Sequence, residues 1–247
     1  MTTLVNRLAI VGLLLAIGCV ATMFLAGLGY RFGWWPYGTG IAMIAIAFWV
    51  AAGSATLCAL AAGLAATRAG ARRALIMGLA GLAIAGVTVW VPYDMRMTAR
   101  ALPPIHDITT DLADPPSFVR VAALRKAGDH PIAYDGPKVG AQQRKAYPDL
   151  APLMLKAPRD EVFAAAQGVL ASMGLELVAA DAAQGRVEAT ATSLLFGFKD
   201  DVVVRIAGEP NGTKVDIRSK SRVGRHDIGM NAKRIRAFLV KLKVAVK

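Results

Sequence analysis

The sequence predicts an α+β protein in two parts. Three N-terminal transmembrane helices come first, followed by a soluble domain with an antiparallel sheet of about four strands flanked by helices. Three observations carry this expectation. All 17 acidic residues lie at or after Asp94, and only five of the 29 Lys and Arg (Arg7, Arg31, Arg68, Arg72 and Arg73) precede it. The early arginines bound uncharged runs of 23, 36 and 20 residues. Past residue 158 the hydrophobic period is helical, then two-residue over several short segments, then helical again. A mean hydropathy of +0.45, split so unevenly, excludes a plain cytosolic enzyme, a disordered chain and a small disulfide scaffold. The boundaries follow: residues 1–93 as a three-span anchor, 94–158 as a Pro-rich extended segment with short helices belonging to the soluble domain, and 159–247 as the α+β core.

About 20 apolar residues cross a hydrocarbon layer of ~30 Å, which places spans at residues 8–28, 41–65 and 74–91. Three arginines in the loop 67–73, against Arg31 alone in the preceding loop, put the N-terminus in the cytosol and the C-terminal domain outside. Tyr30, Trp34, Trp35 and Tyr37 leave the first span, and Trp90 and Tyr93 leave the third, as an aromatic belt at one interface. Arg96 and Arg100 oppose that orientation. This reading is of a multi-pass protein of the inner (plasma) membrane with a periplasmic domain. Leu15-Ala16-Ile17-Gly18-Cys19 faintly matches a lipoprotein cleavage site, but the apolar run continues to Leu28, as a span requires. Gly78, Gly81 and Gly86, with Gly53, Ser54 and Ala55, are small enough to let helices approach closely. No ionisable Asp, Glu, Lys, Arg or His lies within a span, so an ion or proton pathway has no support.

Nine of the twelve prolines fall between Pro103 and Pro158. Asp114 as N-cap, Pro115 in the first turn and Gly128 as a stop predict one short helix; a second runs from Gly140 to Tyr147, stopped by Pro148. Residues 160–173 form a helix burying Val162, Phe163, Ala166, Val169, Leu170 and Met173, and ending at Gly174. Strands follow at 175–180, 186–192, 201–207 and 213–221, the last two joined by Glu209-Pro210-Asn211-Gly212. In that hairpin Val202, Val204 and Ile206 share a face with Val215, Ile217 and Ser219. The opposite face carries Asp201, Arg205, Asp216, Arg218, Lys220 and Arg222. A last helix, capped near Asp227 and ending near Val244, buries Ile228, Ile235, Phe238, Leu239 and Leu242.

His106-Asp107-Ile108-Thr109-Thr110-Asp111, the stretch from Gln142 to Tyr147-Pro148-Asp149, Phe196-Gly197-Phe198-Lys199-Asp200-Asp201, and Asp216 to Gly224 followed by Asp227, Gly229 and Asn231 form four motifs in a fixed order. They resemble the domain of unknown function 1499 family, over roughly residues 103–242, in its membrane-anchored bacterial form. The resemblance implies one domain spanning the Pro-rich segment and the core together. It implies no activity and no catalytic residue.

The charge map is the sharpest functional signal. Residues 214–247 hold eleven basic and two acidic side chains, whereas residues 93–213 hold thirteen and fifteen. Such a field attracts anions: lipid headgroups, phosphorylated ligands, acidic glycans or an acidic protein; the bland alternative is a charged face that keeps the domain soluble. Asp200, Asp201, Arg218, Lys220, Arg222 and Arg225 are the candidate ligand-binding residues, with a cross-strand ionic network as the structural alternative. Nucleic acid is a poor fit for an extracytoplasmic domain. Both cysteines (Cys19, Cys58) lie in spans, and His106, His130 and His226 have no ligand spacing, so no metal or cofactor is expected. Ser219 and Ser221 lack a glycine elbow. A non-enzymatic binding module is the first reading. A membrane-anchored hydrolase or lipid-modifying enzyme, built on His106, Asp107 or Asp200, is the alternative.

Overall fold

The computed structural model describes residues 2–247. They divide into two units: residues up to Thr98 with Leu194–Gly197, and Ala99–Ser193 with Phe198–Lys247.

The first unit is built on α1 (Thr2–Arg31), α2 (Tyr37–Ala66) and α3 (Arg72–Ala101), each 30 residues and each long and apolar enough to span a membrane. At 1.5 Å per residue each is about 45 Å long, so the helices continue past the ends that the hydrophobic runs alone define. Their outward side chains are apolar on nearly every side: Leu14, Phe24, Ile46, Trp49, Ile76 and Val87 are all exposed. Helices of that composition need a lipid solvent. Among the small residues, Gly78 abuts Ala62 and Gly81 abuts Cys58 and Leu13, while Gly53 and Gly86 face open space. Gly12 touches the same Cys58 from α1, so one buried thiol fills the point where the three helices meet. Ser54, buried on α2, donates its hydroxyl to the Gly12 carbonyl of α1 at 2.7 Å.

In the second unit β1 (Asp107–Thr109) precedes a 3₁₀ turn (Val121–Leu124), α4 (Pro137–Ala146) and β2 (Leu153–Leu155). Then come α5 (Arg159–Ser172), β3 (Glu176–Asp181), β4 (Arg186–Thr192), β5 (Lys199–Glu209), β6 (Gly212–Ser221) and α6 (Met230–Ala245). The sheet is antiparallel, in the order β1-β6-β5-β4-β3, with β2 also paired to β6. It has six strands where the period-2 segments gave four. The two additions are three residues each, too short to show alternation, and both are held by β6.

Register is set by the β5–β6 hairpin, whose pairs Val202↔Ser219, Val204↔Ile217 and Ile206↔Val215 put those residues on the predicted common face. Gly212, at φ +137°, closes the turn where a Cβ would run into the Leu155 carbonyl of β2. α5 and α6 cover that face, and Leu170, Ile206, Ile217, Ile235, Phe238 and Leu242 are fully buried between the layers. Each such side chain contributes roughly 1.5–3 kcal/mol relative to exposure.

The helix expected from Asp114 does not form; only the 3₁₀ turn appears there. Two competing bonds explain it. The Asp114 carboxylate goes to Arg205 rather than to a helix amide. The amides of Val119, Arg120 and Val121 go to the Glu188 carboxylate instead of to helical carbonyls. The second short helix does form, as α4, with Pro137 in its first turn and Tyr147 following its end.

Candidate functional site

The sheet's second face is charged, and it is buried. Residues 111–135 lie across it, and the pairing brings Asp107, Thr109, Asp201, Thr190, Glu188, Arg218 and Lys220 to one surface beneath them. Asp107 grips Arg218 with both oxygens at 2.8 Å, and the guanidinium lies 4.9 Å from the Phe118 ring centroid and 5.4 Å from that of Tyr134. The remaining Arg218 donors go to the carbonyls of Pro116 and Ile132. Lys220, 0% exposed, donates to the Ala133 carbonyl at 2.7 Å and to Asp135 at 2.6 Å, and forms an ion pair with Asp107 at 3.2 Å.

Asp201 is held by two guanidiniums, Arg222 at 2.7 Å and Arg125 at 2.9 Å, and by the Thr190 hydroxyl at 3.0 Å. Glu188 accepts three backbone amides from the covering segment and lies 3.1 Å from Arg186. Asp216 lies 2.9 Å from Arg205 and 3.4 Å from Lys214. Burial alone would raise the Asp111 carboxyl, but the amides of Asp114 and Ala113 and the Lys214 ammonium hold it below the ordinary aspartate value. Charges buried without partners cost several kcal/mol each; here each is met by an opposite charge and by further hydrogen bonds.

At one corner of this layer the His106 and His130 rings stack, centroids 4.0 Å apart. His106 Nε2 lies 3.4 Å from Asp135 and has no hydrogen-bond partner among the described residues. Among those residues no hydrogen bond joins His106 to Asp107 or Asp200, the partners a hydrolase reading requires. Burial, and then the neighbouring His130, hold the His106 pKa below the ordinary histidine value, with Lys220 acting in the same sense and Asp135 and Asp107 against it.

A second polar cluster ties α6 to the sheet. Asn231 accepts from Ser219 at 2.6 Å and donates to Ser221 and to the His106 carbonyl at 3.0 Å each. Arg234 joins it to Asp200 at 2.7 Å. Asp227 caps α6 through the amides of Gly229 and Asn231, and its burial pushes the carboxyl up. His226 accepts from the Ile228 amide at Nδ1, so Nε2 carries the proton and donates to the carbonyls of Ala99 and Leu102. Ile228 itself has φ +54°, a conformation a β-branched residue adopts only when its surroundings impose it.

Of the residues expected to bind a ligand, Asp201, Arg218, Lys220 and Arg222 are buried with internal partners, and Asp200 is paired with Arg234. Arg225 is exposed and forms no ion pair among the described residues. Their partners Asp107, Arg125 and Asp135 come from the segments before the predicted core, Asp107 on the three-residue β1 and the other two on the covering segment. On α6, which has no acidic residue, Lys233, Lys241 and Lys243 are exposed and form no ion pair among the described residues, and the same holds for Lys247 just past its end. Arg120, Lys126, Lys138, Arg144, Lys145, Lys156 and Lys199 are exposed and unpaired elsewhere in the domain.

These features define a class: a three-span membrane anchor joined to an α+β domain whose sheet has one apolar and one ion-paired face. The chain belongs to the family described as Protein of unknown function (DUF1499), whose model matches residues 107–242. The match opens on β1 and closes in α6, so the Pro-rich cover lies within the family domain. No curated protein and no solved structure matches the chain significantly.

Two outcomes follow from this geometry. Asp201→Ala leaves Arg222 and Arg125 facing each other without an acid, and lowers stability by about 3–5 kcal/mol, whereas Lys233→Ala stays within about 0.5 kcal/mol. Hydrogen exchange of the β5 and β6 amides, in the full chain in micelles, reads both. For His106 the sign is as follows. With its folded-state pKa depressed, the unfolded chain takes up the proton first, so stability is full above the ordinary histidine pKa and is lost as pH falls through it. Domain melting followed by circular dichroism therefore drops between about pH 7 and pH 5, and His106→Gln flattens that drop.

Proposed function

We propose that this is a multi-pass protein of the inner (plasma) membrane, with its N-terminus in the cytosol and its domain outside. In this reading the domain binds an anionic partner and does not turn over a substrate. One observation carries the binding role: the cations of β6 are consumed by internal pairs, whereas Lys233, Lys241 and Lys243 on α6, and Lys247 just past it, stand exposed and unpaired, with Arg225 nearby in sequence. The buried pairs of Asp201, Arg218, Lys220 and Arg222, with the Asp200–Arg234 pair, would then hold β6 and α6 in position while the free cations meet the anion. Orientation rests on Arg68, Arg72 and Arg73 between α2 and α3, and on the aromatic residues that flank the other ends.

Inorganic polyphosphate serves as the test anion, with the full chain in neutral phosphatidylcholine nanodiscs. Wild-type protein binds it with an affinity that falls steeply with salt. The triple variant Lys233→Glu, Lys241→Glu, Lys243→Glu weakens binding by tenfold or more, on the order of 1 kcal/mol per cation. Equal binding by both proteins overturns the reading. For orientation, Asn211→Cys on the exposed β5–β6 turn is labelled by a membrane-impermeant maleimide in intact spheroplasts, while Cys19 and Cys58, buried in the spans, stay unlabelled. Labelling only after lysis would place the domain in the cytosol.

A further inference from the structure

We propose that the outer face of α6 lies on an anionic lipid surface; this rests on the anion-binding reading above and names its partner. The inner face of the helix is fixed in the core by Ala232, Ile235, Phe238 and Leu242. Opposite, Met230, Lys233, Ala237, Val240 and Val244 follow one another at spacings of three and four, which sets them on a single exposed stripe, with Lys247 just past the helix end. Met230 is 51% exposed, and Val240 and Val244 are each 64% exposed. Lys241 and Lys243 flank the stripe. Isolated apolar side chains at a surface are ordinary. An apolar line bordered by lysines, with Arg236 paired to Asp149 on one flank and no acid on the helix itself, has the composition of a helix lying at a lipid interface. There the valines sink to the acyl boundary, and the lysine stems run along the apolar surface to put their ammonium groups among the phosphates.

Other occupants fit less well. A second copy would set lysine against lysine along the whole stripe. A protein partner would meet a surface without aromatic residues or exposed arginine on its centre line and rich in lysine, the opposite of the usual interface composition. A polyanion in solution would use the lysines and leave Val240 and Val244 in water. Lipid also has the advantage of supply, because three spans hold the chain in a bilayer and make the encounter intramolecular.

The test labels Val244→Cys in the full chain with an environment-sensitive nitrobenzoxadiazole dye, the native cysteines being buried in the spans. In nanodiscs with roughly a third phosphatidylglycerol, dye emission shifts to the blue and doxyl lipids quench it about threefold more than in pure phosphatidylcholine. High salt, or Lys233→Glu with Lys241→Glu, abolishes the difference. Val240→Gln, which leaves the charge unchanged, reduces the lipid signal but leaves polyphosphate binding as in wild type. Water-like emission in both lipid compositions overturns the proposal. If lysine-dependent polyphosphate binding survives that result, the anion-binding reading stands and only the lipid assignment falls; if neither is seen, both fall. A blue shift that appears only on adding a cell extract to neutral discs assigns the stripe to a protein and also overturns the proposal.

Discussion

The second unit depends on the disposal of charge on the buried face of β6. Arg218 and Lys220 alternate with core residues, so folding the sheet carries two cations, with Arg222 just beyond them, out of water. Neither β5 nor β4 supplies enough acid to neutralise them. Asp107 arrives on β1, Asp135 and the carbonyls of Pro116, Ile132 and Ala133 arrive on the covering segment, and Asp201 is shared with Arg125 from the same segment. The layer is complete only when residues 111–135 are in place, which makes this Pro-rich stretch part of the domain. Its lack of regular structure is a consequence. Its backbone amides and carbonyls are spent on the side chains of Glu188, Arg218 and Lys220, and are unavailable for a ladder of their own.

That constraint also marks where sequence reading succeeded and where it stopped. Residues 186–192 and the β5–β6 hairpin were legible because one of their faces is apolar, and a period of two identifies such a face directly. The α5 positions were legible for the same reason at period 3.6. The opposite face was read correctly as charged, but alternation names a face without saying what covers it. A solvated strand and a strand over an ionic layer read alike. β1 and β2 are three residues long and carry no period at all. The Asp114 start was misleading because its local cues are those of a cap, while the bond that decides it comes from Arg205, 91 residues away. Gln143 shows the same limit: it pairs with both the amide and carbonyl of Thr109, standing in for a strand neighbour, and its neighbour Gln142 looks no different in sequence.

The ionic layer and the surplus cations answer a question that net charge alone leaves open. A formal charge of +12 suggests a uniformly positive surface. In the folded chain the strand cations are largely cancelled within about 3.4 Å by carboxylates, and at such separations little field escapes beyond the pair. The arginines of α6 are cancelled as well, Arg234 by Asp200 and Arg236 by Asp149. The lysines of the same helix are not. Arginine suits this division, since its planar fork closes bidentate pairs at Asp107 and Asp149, while lysine presents a point charge that remains mobile and hydrated.

The two clusters meet at one strand, and this joins them mechanically. Ser219 and Ser221 of β6 bond to Asn231, Arg234 bridges from Ser219 to Asp200, and the cap at Asp227 fixes the first turn of α6. Ile228, left-handed at φ +54°, adopts a strained conformation for a β-branched residue, and the bonds that His226 and Asp227 accept from the amides of Ile228 and Gly229 hold it. The helix is therefore pinned at its N-terminal end by polar contacts and along its inner face by Ile235, Phe238 and Leu242, leaving its outer stripe with a single orientation relative to β6. A loosened ionic layer would release β1, then the His106 carbonyl that Asn231 uses, and with it the seating of α6. The buried charges thus act on the exposed ones through position: they need touch no partner to determine which side chains can.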